Sequence, residues 1–127
     1  MSYEIKFDLR GTYLYARIVG ENRQEIIISY MQDIVAKCAE TECFSVLIHE
    51  CLEGPRMETL ELFETVSETS KRVMGEFDAV AYVDEKMGDL RHFGESLAFN
   101  RGMPIAAFSD LDSATEWITG KAAVQGH

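Results

Sequence analysis

The stretch VLIHECLEGPRMETLELF, Val46 to Phe63, decides how the chain is read. Phe44 to Ile48 is short and almost wholly apolar, the composition of a central strand covered on both faces. Gly54-Pro55 breaks the run, and Pro55 suits the first turn of a helix, where its missing N–H is no loss. A helix is therefore placed from about Pro55 to Gly75. Along it Leu60, Phe63, Val66, Val73 and Met74 are read as the inward side, and Glu58, Glu61, Glu64 and Glu68 as the outward side. An apolar strand feeding an amphipathic helix is half of a parallel strand–helix–strand unit.

Working outward, the same alternation recurs. Upstream, Tyr3 to Leu9 and Tyr13 to Val19 read as two strands, the second alternating Leu14, Ala16 and Ile18 with Tyr13, Tyr15 and Arg17. Arg10-Gly11 between them suits a tight hairpin turn. Asn22 followed three residues later by Glu25 resembles a capping box. It opens a helix whose buried stripe is Ile26, Ile27, Tyr30, Met31, Ile34, Val35 and Cys38. Downstream, Phe77 to Val83 is another central-strand run, Gly88 to Asn100 a helix carrying Leu90, Phe93, Leu97 and Ala98, and Gly102 its C-terminal cap. Pro104 to Phe108 is a short last strand, and Ser109 or Asp110 caps a final helix bearing Leu111, Ala114, Trp117 and Ile118. The predicted order is β-β-α-β-α-β-α-β-α: an α/β domain with a mostly parallel sheet of about five strands, one antiparallel N-terminal strand and four helices. The domain is expected to span residues 1–120, with 121–127 a frayed tail.

Composition narrows the function. At 127 residues the chain fits one domain, and 46% hydrophobic with 27% charged residues is ordinary for a globular protein. The net charge of −10, with no Lys/Arg cluster, opposes a grip on phosphate backbones, so nucleic acid is not an expected partner. No apolar run approaches 18 residues, so no membrane span is expected, and the N-terminus lacks the apolar core of a signal peptide. Three cysteines at irregular spacing, Cys38, Cys43 and Cys51, read as reduced thiols of a cytoplasmic protein. No cofactor motif is present.

Sheets of this kind place their sites beyond the carboxyl ends of the strands. That rule selects Glu50 to Arg56, Asp84 to Asp89 and Ser109-Asp110. His49-Glu50-Cys51 has the residue types of a thiol hydrolase, but strand neighbours point to opposite faces, which is read as keeping His49 and Cys51 apart, and no hydrolase signature surrounds them. A metal site from Cys38, Cys43, Cys51 and His49 lacks a second close pair of ligands. Arg56, Arg91, His92 and Arg101 are the bases expected near this edge. They could hold a carboxylate-bearing ligand, or pair with Glu50, Glu53, Glu85 and Asp89. Phe93, Phe99, Trp117 and the methionines are expected in the core, or lining a small apolar pocket between the second and third helices.

The element order resembles the STAS superfamily of sulfate transporter and anti-sigma factor antagonist domains, and within it the stand-alone SpoIIAA-like branch. The features that carry this are Val19-Gly20-Glu21-Asn22 after the hairpin, SVLIHE before an amphipathic helix, and FGESLAFNRGMPIAAFSDLDSATEWI near the end. The resemblance implies a nonenzymatic module of bacterial regulation that binds a protein partner through the junction after the third strand. Its signalling members carry a phosphorylatable Ser after an Asp there. The corresponding positions here, about Arg56-Met57-Glu58-Thr59, hold no Asp-Ser pair, and Thr59 is the nearest hydroxyl. Under this reading Glu50, Glu53, Arg56, Glu58, Thr59 and Glu61 form the docking surface for a basic partner, with Leu52 and Met57 as apolar contacts. A homodimer is left open. The alternative is an apolar or carboxylate-bearing small ligand between the second and third helices, near Arg56, Arg91, His92 and Phe93.

Overall fold

The computed structural model describes residues 2–84 and 90–125, with the side chains at 90, 91 and 123–125 left aside. Nine elements follow in the expected order: β1 Tyr3–Arg10, β2 Tyr13–Glu21, α1 Gln24–Thr41, β3 Ser45–Glu53, α2 Thr59–Val73, β4 Ala79–Val83, α3 Leu90–Asn100, β5 Ile105–Phe108 and α4 Leu111–Gln125. The sheet runs β1-β2-β3-β4-β5 in space, so each strand lies beside its sequence neighbour. β1 pairs antiparallel with β2, and the remaining pairs are parallel.

The hairpin closes through Gly11, at φ 66°. At its open end Gly20 pairs with Tyr3, and a Cβ on Gly20 would meet the Tyr3 Cβ at 2.8 Å, so no larger side chain fits there without displacing β1. β2 alternates as the sequence predicts. Leu14, Ala16 and Ile18 face α1, α2 and α3 together with Val46, Ile48, Leu52 and Val80. Tyr13 faces the other way, where Leu47, Ala79, Ala81 and Val83 meet Ala114, Ile118 and Ala122 of α4. Three helices therefore cover one face of the sheet and one helix covers the other.

The boundaries differ from expectation where local signals compete with pairing. β3 does not stop at Ile48 but runs to Glu53, because Cys51, Leu52 and Glu53 find partners in Val19, Gly20 and Glu21 of β2. α1 is preceded by Arg23 with no side-chain cap, and the Asn22/Glu25 capping box does not form. Asn22 is drawn instead to the β3–α2 loop: its side-chain amide donates to the Pro55 carbonyl (3.0 Å) and its backbone N–H to the Glu53 carbonyl (2.8 Å). α2 starts at Thr59 rather than about Pro55. Gly88 and Asp89 lie outside the described residues. Asp110 does cap α4, its Oδ1 accepting the Ser113 N–H at 2.7 Å, and α4 continues to Gln125, past the Gly120 end read from the sequence.

The inner face of α2 is the larger correction. It consists of Leu62, Thr65, Thr69, Ser70 and Val73, with Val66 half-buried, whereas Leu60 is 69% exposed, Phe63 41% and Met74 58%. Helical spacing alone admits both stripes. The observed one buries the Thr65 hydroxyl at low cost, since a helical Thr can bond the carbonyl one turn back, as Thr65 Oγ1 does to Glu61 (2.8 Å). Phe99 at 65% and Phe93 at 36% are likewise outside the core that the sequence assigned them, while Trp117 packs on Phe108. Among the described residues no helix is long and apolar enough to cross a membrane.

Candidate functional site

The longer β3 places Glu50 inside the sheet, on the face toward the three helices, and only 5% exposed. Tyr30 of α1 donates its phenol O–H to Glu50 Oε2. Tyr82, the next strand over, also hydrogen-bonds the carboxyl, and the Asp84 side chain at the end of β4 approaches it from the same side. Burial, then the charge on Asp84, push the Glu50 carboxyl up to about 8 despite the two phenols, which favour the ionised form. At neutral pH Glu50 is therefore mainly a neutral acid. Burial first and Glu50 second likewise hold the Tyr30 and Tyr82 phenols well above their usual range.

Two cavities meet at this cluster. A cleft of about 40 Å³ opens at the carboxyl edge, where the polar groups of Glu50, Tyr82 and Asp84 on the sheet side and Asn22 and Arg56 on the loop side meet the apolar Leu52 and Met57. An apolar cavity of about 90 Å³, partly open, lies deeper, under α2 and α3. Ile27 and Met31 of α1, Ile48, Ile105 and Ala107 of the sheet, and Gly94, Glu95 and Ala98 of α3 enclose it, with Leu62, Thr65, Val66, Thr69 and Ser70 of α2. Ile27, Leu62 and Tyr82 are walls of both. Glu95 reaches from α3 to the sheet edge, where its carboxylate accepts the Ala107 N–H at 2.6 Å.

On the opposite face of β3, His49 Nδ1 is held by the Tyr15 hydroxyl at 2.7 Å, and Arg10 stacks over the Tyr15 ring at 3.9 Å. The separation of His49 from Cys51 read from the sequence is corrected: one residue lies between them, so they share a face and Glu50 alone points away. Neither lines either cavity. Cys38 is buried in α1, where desolvation pushes its thiol up to about 12. Among the described residues no three His, Cys, Asp or Glu side chains gather as metal ligands would.

The residues proposed for docking divide by exposure. Glu53, Arg56, Glu58, Thr59 and Glu61 are exposed, and Arg56 also borders the 40 Å³ cleft. Glu50, Leu52 (4% exposed) and Met57 (6%) are buried, so Leu52 and Met57 are core contacts and not surface ones. Of the bases expected at the carboxyl edge, His92 is exposed, 3.9 Å from Glu95, and Arg101 sits at the end of α3 over the Phe63 ring, by the loop that enters β5 at its amino end. Phe93 lies at the surface and His92 and Phe93 do not line the apolar cavity. The Arg91 side chain, Glu85 and Asp89 lie outside the described residues. Tyr30, Tyr82, Thr69 and Glu95 were missed. The signal was present for the first two, since a phenol on a buried face needs a polar partner, and so does a carboxyl in an apolar strand.

No family model matches this chain. Nor does any curated protein. Among solved structures, the chain is similar to an uncharacterized protein of the DUF3478 family from Shewanella loihica PV-4, whose fold is described as SpoIIAA-like. The two share 17% identity over 91% of this chain and 93% of that one, with a TM-score of 0.56. At that identity the likeness is one of fold, and it agrees with the architecture expected from the sequence: the domain is SpoIIAA-like.

Proposed function

We propose that this SpoIIAA-like domain is a nonenzymatic binding module, holding a small and mainly apolar ligand between α2, α3 and the sheet. The observation that carries this reading is the 90 Å³ apolar cavity, walled by three helices and three strands and partly open to solvent. Close packing is the rule in protein interiors, so a space of this size in the centre of a small domain calls for an occupant or a reason. An engineered apolar cavity of about 150 Å³ takes up benzene, so this one suits a smaller molecule or the end of a longer one.

Thermal unfolding against a panel of small apolar compounds tests the reading. A ligand at a hundred times its Kd stabilises by about 2.7 kcal/mol, a rise in Tm on the order of 10 °C for a domain of this size. No shift with any compound, and no amide NMR perturbation at Ile27, Met31 or Ile105, would overturn it.

A second reading, docking of a basic protein partner in bacterial regulation, is favoured by the outer face of α2. Leu60 and Phe63 stand exposed there beside the exposed Glu58, Glu61 and Glu64. They supply the apolar contacts that the buried Leu52 and Met57 do not, and an acidic field around them steers a basic surface. Binding of the partner should be lost in a Glu58→Lys/Glu61→Lys variant that keeps its fold. A partner retained with unchanged affinity excludes this surface.

A further inference from the structure

We infer that the cavity under α2 and α3 selects a short, uncharged amphiphile, an aliphatic alcohol or ketone, whose one polar group bonds Thr69. This rests on the cavity being a ligand site, and it specifies the chemistry accepted there.

Charge is the first constraint. Among the described residues the lining contains no lysine, arginine or histidine to receive an anionic head group. Its charged member is Glu95, whose carboxylate would repel an anion and is already engaged by the Ala107 N–H. An ionised carboxylate entering here would lose its hydration and meet the Glu95 charge, with no cation among the described residues in return. A carboxylate-bearing ligand is therefore disfavoured by the described lining of this cavity, and Arg56 borders the adjoining cleft instead.

The second constraint is an orphan hydroxyl. α2 contributes Thr65, Thr69 and Ser70 to the wall. Thr65 is satisfied by the Glu61 carbonyl. Thr69 is 8% exposed, and its Oγ1 has no hydrogen-bond partner. Buried side-chain hydroxyls almost always have one, because a missing bond leaves the desolvation cost uncompensated. A pure hydrocarbon would fill the cavity and leave Thr69 as it is. A hydroxyl or carbonyl on the ligand supplies the absent partner, while the carbon chain lies against Ile27, Met31, Ile48 and Ile105. The third constraint is size. Scaling from the cavity of about 150 Å³ that holds benzene, 90 Å³ encloses roughly four non-hydrogen atoms, and because the cavity is partly open the end of a slightly longer chain can remain at its mouth.

The test uses the full chain with 1-butanol, 2-butanone, butyrate, butylammonium and n-pentane, each titrated by amide NMR. 1-Butanol and 2-butanone should perturb Thr69 and Ile105 and bind more tightly than either charged analogue. Thr69→Val, near-isosteric and free of the orphan hydroxyl, should lose about tenfold of the 1-butanol and 2-butanone affinity and keep its response to n-pentane. Thr69→Ser, which keeps the hydroxyl, should retain the preference. Tighter binding of butyrate or butylammonium, or unchanged 1-butanol affinity in Thr69→Val, overturns the chemistry while leaving the cavity a ligand site. No response to any of the five, n-pentane included, overturns the ligand reading itself.

Discussion

Glu50 shows how a single residue can couple this fold to pH. Its carboxyl rises from about 4.5 when unfolded to about 8 in the folded chain. The folded state therefore holds a proton that the unfolded state has given up between those values. Stability from this group is complete below about pH 4.5 and is lost as pH rises through about 8. The groups facing it are Tyr30 from α1, Tyr82 from β4, Asp84 just after β4, and Arg56 across the cleft. Each pH unit inside the window is worth at most about 1.4 kcal/mol from one site. A Glu50→Gln variant cannot ionise and keeps a hydrogen-bonding side chain of the same shape. Urea unfolding from pH 5 to 9 should show wild type losing stability relative to Glu50→Gln as pH rises, with the variant ahead by a few kcal/mol at pH 8 to 9. A difference that does not change with pH would mean that Glu50 is ionised in the fold throughout.

At the scale of elements, α2 separates what spacing reveals from what it does not. Apolar residues every three or four positions identified the helix, and the order of all nine elements was readable in the same way. Which of two adjacent stripes faces inward depended on neighbours that sequence does not display. α2 packs between α1 and α3 and turns Leu62, Thr65, Thr69, Ser70 and Val73 inward, leaving Leu60 and Phe63 outside. β3 shows the same limit: its polar second half looked like a loop until pairing with β2 extended it. The contrast can be measured. Leu62→Ala, at a position 7% exposed, should cost about 2–4 kcal/mol, whereas Leu60→Ser should stay within about 0.5 kcal/mol. Equal losses in chemical denaturation would mean that Leu60 is covered in solution, as a docked second copy would cover it.

Over the whole molecule, the uneven layering of the sheet explains where the candidate site lies and why it was only partly legible. The alternation in β2 implied a sheet with two unlike faces, the apolar run Phe44 to Ile48 implied cover on both, and the carboxyl-end rule pointed to Glu50 to Arg56. The cavity, however, is made by residues from α1, α2, α3 and three strands, and no segment carries its signature. Charge, by contrast, is a property that sequence states outright, and its consequence is global. The net charge is −10, and the ion pairs Arg10–Asp8, Arg23–Glu21, Lys37–Glu40 and Arg72–Glu68 all have at least one well-exposed partner, so each contributes little. Folding draws the excess carboxylates together, and their mutual repulsion opposes the compact state. Salt weakens that repulsion by shortening the screening length from about 30 Å at 0.01 M to about 8 Å at 0.15 M. The Tm should therefore rise between those two sodium chloride concentrations at pH 7. It should rise less after Glu58→Gln and Glu61→Gln, which remove two of the exposed charges. A Tm that falls with salt would show that the exposed ion pairs, and not the net charge, dominate the electrostatics of the fold.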